Sequence, residues 1–260
     1  MQPGAAPGGE RRYRANAQVI LLGITVLHRS DVGDGSAAWR ESVTEDGTVV
    51  RMLEFAGRSA PERAAGLNRF GFIQELSRAG EALYFGLMTS SPEESAAEAR
   101  QALHSKSKDA WYSAIDGRVS AEGVETAHAR FVAAAHTSHV AGGAAGVDRS
   151  ARRELATAPK VNAPGSSAPL PFLHALAGLL RDSKKKETQY TYNGRLYSLN
   201  VERSRESKTP GVVRVSGSLR RAEGGKATDF RLWIEDGAAH PLPLRIEYQP
   251  KSYLRLTFEA

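Results

Sequence analysis

The last third of the chain alternates apolar and polar residues in short runs. In residues 242–249, Leu, Leu, Ile and Tyr occupy every second position, and Pro, Arg, Glu and Gln occupy the others. Because successive side chains of a strand point to opposite faces, this pattern predicts β-strands with one apolar face. Asn193-Gly194, a strong hairpin signal, joins two of them. The predicted strands cover residues 190–192, 195–201, 212–219, 230–235, 242–249 and 253–258.

The first half predicts further strands, beginning with a long one over residues 12–28. Apolar side chains fall on both of its faces, so we expect it to be covered on both sides. Residues 31–35, with two aspartates and two glycines, predict a turn. Ser91, Pro92 and Glu94 are typical of a helix start, which predicts a helix over residues 92–105. Strands are also expected at 37–44, 49–55, 70–76, 82–89 and 111–115, with a loop over 57–68 and a turn at Asp116-Gly117; residues 124–132 fit a strand and a helix equally well.

Two segments are poor in large apolar residues. Residues 1–11 predict a disordered tail, and residues 133–169 predict a flexible insertion with a short helix near 149–157. Because alternation resumes after the insertion, we expect one antiparallel β domain over residues 12–259 rather than two domains.

A short apolar helix is predicted directly after Pro171. Large apolar residues recur at helical spacing over residues 172–181. The sheet has to bury its apolar face, and this helix can cover it in two ways: it fills the core, or it lines a cavity for a lipophilic ligand. The second alternative assigns ligand contacts to Phe172, Leu173, Leu176, Leu179, Leu180, Ile20, Leu22 and Ile24.

The composition argues against several kinds of chemistry. The chain has no cysteine, which excludes disulfides and thiolate metal sites. His136 and His139 are the only close histidine pair, and no third ligand lies near them, so we expect no metal. No Gly-x-Ser-x-Gly motif or phosphate-binding loop occurs, so we expect no catalytic residues and no cofactor. An enzyme would need a cleft lined by Glu62, Arg63, Asn68 and His174.

The charge pattern bears on partners. The net charge is +6, but the basic residues are scattered and the aromatic residues lie in predicted strands, so we expect no nucleic-acid partner. Association with an anionic membrane surface is compatible with the charge. No run approaches the roughly 20 apolar residues of a membrane span. We interpret the strongest apolar run, residues 19–27, as a buried strand.

Residues 192–194, 230–234, 242–248 and 254–256 resemble an uncharacterised family of bacterial envelope proteins, which is similar to lipoprotein carriers of the LolA/LolB type. The resemblance implies an α+β, mainly β fold: a curved antiparallel sheet, or half-barrel, with helices on its concave face. It implies a location in the periplasm or cell envelope if a signal peptide has been removed, and otherwise in the cytoplasm. It brings no catalytic residues.

These observations together predict a non-enzymatic cell-envelope protein that binds a hydrophobic small molecule or lipid between sheet and helices. The alternative is a structural or protein-interaction module with a fully packed core, and an enzyme is the third hypothesis.

Overall fold

The computed structural model describes residues 8–21, 24–66, 68–90, 109–134, 145–164, 170–192, 195–206, 209–251 and 253–260. These residues form fifteen strands and two helices, and neither helix is long and apolar enough to cross a membrane. The helices are α1 (Ala145–Thr157) and α2 (Phe172–Arg181). The strands are β1 (Gly8–Leu21), β2 (Ile24–Val43), β3 (Val49–Ser59), β4 (Phe70–Arg78), β5 (Glu81–Thr89), β6 (Asp109–Ser120), β7 (Gly123–Ala134), β8 (Lys160–Pro164), β9 (Leu170–Pro171), β10 (Glu187–Tyr192), β11 (Arg195–Arg205), β12 (Val212–Arg221), β13 (Thr228–Glu235), β14 (Arg245–Lys251) and β15 (Leu254–Glu259).

All of these strands belong to one sheet, in the order β8-β7-β6-β5-β4-β3-β2-β1-β15-β14-β13-β12-β11-β10-β9. Neighbours pair antiparallel, apart from the short parallel contact between β9 and β10. The first strand pairs with the last, from Arg14 opposite Glu259 to Val19 opposite Leu254. The sheet therefore has an N-terminal half (β1–β8) and a C-terminal half (β9–β15) that meet at its centre, and its edges are β8 and β9.

The chain connectivity requires this sheet to curve. Only residues 165–169 separate the end of β8 from the start of β9, and a chain of six residues reaches no further than about 21 Å. A flat sheet would place these edges about 67 Å apart, since fourteen spacings of about 4.8 Å separate them. The mainly β, antiparallel architecture expected from the alternating pattern is confirmed as one open curved sheet.

The prediction of one long strand over residues 12–28 is wrong, because the chain reverses its direction within this segment. β1 ends at Leu21 and β2 begins at Ile24, and these two residues lie opposite each other. The apolar run folds back on itself as a hairpin and does not cross the sheet as one strand. Its interpretation as a buried strand is also wrong, since 69% of Ile24 and 54% of Val26 are exposed to solvent.

Two predicted turns lie inside strands. Residues 31–35 belong to β2, where Asp31 has a positive φ and the pairing with β1 shifts register beside Ala15. The Asp/Gly signal therefore marks a β-bulge, which bends a strand without ending it. Asp116-Gly117 lies inside β6, where a Cβ on Gly117 would come within 2.1 Å of the Tyr84 ring. This glycine allows the close approach of an aromatic side chain.

The region predicted to be a flexible insertion contains regular structure. α1 confirms the short helix predicted near 149–157, and its Ala151 and Leu155 pack in an apolar cluster with residues of β5, β6 and β7. β8 then pairs with β7 and forms an edge of the sheet. The ambiguous segment 124–132 is a strand, since it lies within β7.

Some predictions concern the start of the chain or segments that the structure does not describe. β1 begins at Gly8, so residues 8–11 belong to the sheet and not to the tail that was predicted to extend through residue 11. The helix predicted over 92–105, and the pair His136 and His139, lie outside the described residues.

Candidate functional site

α2 connects the two halves of the sheet. Leu179 belongs to an apolar cluster with Leu199 of β11 and Val215 of β12, and all three side chains are fully buried. Phe172 packs on Tyr190 of β10, with 5.1 Å between the ring centroids. The helix also contacts β3 and β4, which belong to the other half of the sheet. Its packing therefore involves strands that lie far apart in the strand order.

The N-terminus of α2 is bound by a carboxylate from β4. Glu75 is fully buried, and its Oε1 accepts a hydrogen bond of 2.8 Å from the backbone N–H of Leu173. Its Oε2 accepts one of 2.9 Å from the N–H of His174 and lies 2.9 Å from the Nδ1 of the same residue. Pro171, at the N-cap position, makes no side-chain capping bond. Glu75 thus supplies the acceptors that the helix's own sequence lacks.

The C-terminus of α2 is bound by a guanidinium from β11. The Nη2 of Arg203 donates to the carbonyl of Leu179, and to that of Asp182 at 3.1 Å. Its Nη1 donates to the carbonyl of Lys185 at 2.9 Å. The last carbonyls of a helix have no partner within the helix, so a five-donor side chain is well suited to bind them.

These two contacts match the electrostatics of a helix. The N-terminus carries a partial positive charge and the C-terminus a partial negative charge, so an anion is favourable at the first and a cation at the second. Glu75 and Arg203 provide these charges from opposite halves of the sheet. We call the arrangement of Glu75, α2 and Arg203 the helix clamp.

The chemistry available at the helix clamp is limited. Both oxygens of Glu75 are engaged, and the buried Nε2 of His174 has no hydrogen-bond partner among the described residues. Burial raises the pKa of Tyr190 and of Tyr192, so these nearby phenols are even weaker acids than free tyrosine. Within the described chain, no hydroxyl group is hydrogen-bonded to His174, and the bonds that Glu75 makes hold the start of α2.

The predicted ligand-contact residues fall in two places. Leu179 and Leu180 are buried on α2, while Phe172, Leu173 and Leu176 on the same helix are half-buried. Ile20 and Ile24 lie instead at the end of the β1–β2 hairpin, and Leu22 is outside the described residues. Neither of two surface hollows, one beside β7 and β8 and the other at the C-terminal end of α2, is lined by any of these predicted residues.

The structure places the residues named for the enzyme hypothesis in two elements: His174 lies in α2, and Glu62, Arg63 and Asn68 lie in the loop between β3 and β4. His174 binds Glu75, whereas Glu62 and Arg63 form a 3.5 Å ion pair in the loop between β3 and β4. Glu75 is five residues into β4 from that loop, a distance of about 17 Å along a strand. No group of three metal-ligating side chains occurs among the described residues.

One serine–histidine contact lies elsewhere. The Oγ of Ser113 is 2.8 Å from the Nε2 of His128 on the neighbouring strand, and burial together with Arg130 lowers the pKa of this histidine. A catalytic pair needs a third group that orients the histidine. Among the described residues, no carboxylate contacts the ring of His128, so we interpret the contact as a cross-strand hydrogen bond.

Sequence reasoning missed Glu75 and Arg203. Glu75 is 98 and 99 residues away from its two partners on α2, so no local pattern links them. The one available signal is the absence of a capping side chain before residue 172, which implies that the first N–H groups of the helix find an acceptor elsewhere. That signal does not say which carboxylate supplies it.

Comparison with known proteins finds similarity at the level of the fold. Neither a family model nor a curated protein matches the sequence. The crystal structure of a β-barrel-like protein of a domain of unknown function, DUF1849, from Brucella abortus is similar, with a TM-score of 0.50 and 8% sequence identity. The match covers 98% of this chain and 95% of that protein. The architecture described above is therefore shared with a solved β-barrel-like protein over nearly its whole length.

Proposed function

We propose that this chain is a non-enzymatic cell-envelope protein that acts through its outer surface as an interaction module and has a packed interior. The observation that carries the proposal is the helix clamp. α2 is tied at one end to Glu75 and at the other to Arg203, and its Leu179 is fully buried. On this proposal, a helix fixed in this way occupies the space that an internal ligand would need.

The proposal includes the position of α2 on the concave side of the sheet, as in the LolA-like half-barrel that the sequence resemblance implies. The strands β4 and β11 are eight spacings apart in the strand order, which is about 38 Å in a flat sheet. Their side chains nevertheless reach the two ends of a ten-residue helix, about 15 Å long. Such a helix can connect the two strands most simply from inside the curve.

The alternative is a hydrophobic or lipid-like ligand held between sheet and helix. The half-buried side chains of Phe172, Leu173 and Leu176 favour it, because they have apolar surface that is not fully covered. On this alternative α2 would have to shift and the helix clamp would have to open. We favour the packed module because the three bonds to Glu75 and those to Arg203 oppose such a shift.

The assignment to the periplasm or cell envelope rests on the sequence resemblance alone. Fractionation of cells that express the full-length natural gene product checks it. We expect the protein in the periplasmic or membrane fraction, and recovery from the cytoplasm alone would contradict the assignment.

Native mass spectrometry of protein purified from cells tests whether the interior is packed. We expect the mass of the bare chain, and no uptake when phosphatidylcholine dispersed in a mild detergent is titrated in. A co-purified lipid mass that disappears in Leu176→Trp, a variant that fills space beside the helix, would support the carrier alternative instead. Leu83→Trp, at an exposed position on β5, serves as the matched control.

A further inference from the structure

The end of the β1–β2 hairpin protrudes from the sheet. β2 pairs with β3 only from Gly33 onward, so residues 24–32 have β1 as their one neighbouring strand. On its other side β1 is flanked by β15 up to Val19, and the N–H of Ile20 donates to the carbonyl of Tyr253 at 2.9 Å. We call residues 19–21, 24–27 and 253 the apolar tip.

The apolar tip exposes hydrophobic side chains on both of its faces. Ile24, Val26, Leu27 and Tyr253 are 69%, 54%, 47% and 52% exposed. Leu27 lies opposite Val19 on one face, and Ile24 lies on the same face, whereas Ile20, opposite Thr25 and hydrogen-bonded to the carbonyl of Tyr253, lies on the other. No charged residue occurs between positions 19 and 27 of the sequence. Hairpins that end in water normally carry turn-forming polar residues, so this end is unusual for a surface in contact with water alone.

Basic side chains form a row directly behind the apolar tip. Gln18 of β1 lies opposite both His28 of β2 and Arg255 of β15, so these two residues share one face. Arg29 follows on the other face, where its guanidinium donates to the carbonyl of Arg63. Among the described residues, neither Arg29 nor Arg255 forms an ion pair with a carboxylate. Both faces of the hairpin therefore present a cation just behind apolar side chains.

The opposite end of β2 differs from the apolar tip in its charged side chains. The hairpin between β2 and β3 turns through Glu45 and Asp46, and Val43 beside it is 66% exposed. β2 has twenty residues and is about 65 Å long. This end of β2 also has Arg51, which pairs with Glu41, and Arg78 of β4 opposite Val50, so its charges are mixed, whereas the described residues of the apolar tip carry no charge.

We propose that the apolar tip docks this protein on an anionic lipid bilayer. A bilayer accepts apolar side chains from both faces of a hairpin at once, whereas an apolar groove in a protein covers one face. Tyrosine favours the membrane–water interface, and Arg29 and Arg255 would lie at the depth of the lipid phosphates. This inference adds a partner to the proposed function, and it does not depend on whether the interior is packed.

Vesicle co-sedimentation tests the proposal. The full chain is mixed with vesicles of phosphatidylcholine and phosphatidylglycerol, and in parallel with phosphatidylcholine alone. We expect binding to the anionic vesicles, and a loss of at least about tenfold in the partition coefficient for the double variant Ile24→Asp, Val26→Asp, because apolar contact is replaced by charge. Arg29→Gln with Arg255→Gln should weaken binding to anionic vesicles and reduce its dependence on salt.

Val43→Asp is the matched control, since it places a carboxylate at an equally exposed valine at the other end of β2. We expect it to bind as the wild type does. The aspartate variants should keep the wild-type melting temperature, because Ile24, Val26 and Val43 are exposed; the melting temperature of the arginine variant is measured as well, because Arg255 is half-buried. If the aspartate variants unfold, Ile24→Ser with Val26→Ser replaces them.

Three results would overturn the proposal. The first is wild-type protein that stays in the supernatant with anionic vesicles. The second is a tip variant, folded as the wild type, that binds as strongly as Val43→Asp. The third is a wild-type dimer that the tip variants convert to a monomer without any vesicle binding, which would identify a second copy of the chain as the partner. A co-purified lipid that is lost in Leu176→Trp, with vesicle binding intact, would contradict only the proposed packed interior.

Discussion

Glu75 is a fully buried carboxylate, and burial of a charge is costly unless hydrogen bonds compensate for it. Here both oxygens contact N–H groups at the start of α2 or the ring of His174, at 2.8 to 2.9 Å. Hydrogen bonds to an ionised acceptor are stronger than neutral ones. The carboxylate and the helix terminus thus satisfy each other, and removal of either would leave buried polar groups without partners.

We predict that Glu75→Ala lowers the free energy of unfolding by about 3–5 kcal/mol, because it leaves the N–H groups and the histidine unpaired. Glu75→Gln keeps one acceptor oxygen and should cost less, about 1–3 kcal/mol. Urea unfolding followed by circular dichroism measures both. Glu62→Ala removes a surface ion pair and should cost no more than about 0.5 kcal/mol. An effect of Glu75→Ala as small as that control would contradict the account.

Gly117 permits the close approach of the Tyr84 ring, since a Cβ there would lie 2.1 Å from that ring. Gly117→Ala should therefore destabilise the fold by about 1–3 kcal/mol, as overpacking does in other cores. A methyl group on Gly71, in the interior of β4, would meet no atom within 4 Å, so Gly71→Ala should change stability by less than about 1 kcal/mol. Thermal unfolding compares the two, and equal effects would rule out the steric explanation.

At the scale of the element, the sequence of α2 predicts its apolar face but supplies no capping side chain at its start. Glu75 and Arg203 bind the two ends of the helix instead. The leucine spacing predicts a helix over residues 172–181, and α2 has these bounds. The alternation of residues likewise predicts the six strands of the C-terminal part, with shifts of a few residues at their ends. Such patterns work because side-chain periodicity is a local property of the chain.

Local patterns failed where a distant residue decides the structure. Residues 31–35 read as a turn, but their pairing with β1 and β3 carries β2 through them as a bulge. Asp116-Gly117 predicts a turn, but the glycine is needed because any side chain at position 117 would collide with the ring of Tyr84. Glu75 carries no local mark of its role, because its partners are almost a hundred residues away. The apolar residues of α2 were thus predictable from the sequence, whereas Glu75 and Arg203, which bind the two ends of the helix, were not.

Leu179→Ala tests the packing of α2 against the C-terminal half of the sheet. Leu179 is fully buried in the apolar cluster, so the substitution should lower the free energy of unfolding by about 2–5 kcal/mol. Leu83 on β5 is 46% exposed, and its alanine variant should cost less than about 1 kcal/mol. Urea unfolding measures both variants. A loss for Leu179→Ala no larger than that for Leu83→Ala would mean that the helix is not packed as described.

At the scale of the whole molecule, two features hold the halves of the sheet together. One is the pairing of β1 with β15, which places the first and last strands side by side. The other is the helix clamp, which joins β4 to β11 through α2. Both are contacts between residues far apart in the sequence, so the two halves should unfold as one unit and not one after the other.

Tryptophan fluorescence during urea unfolding tests this coupling most directly, because each half of the sheet contains a suitable reporter. Two variants keep one tryptophan each, Trp111 of β6 in the N-terminal half or Trp233 of β13 in the C-terminal half, with the other tryptophans changed to Phe. Each variant is measured with and without Glu75→Ala. We predict that both probes report one midpoint, and that the loss of Glu75 on β4 lowers the midpoint at Trp233 as much as at Trp111. Separate transitions in the parent variants, or a Trp233 midpoint that does not respond to Glu75→Ala, would contradict a helix that ties the two halves together.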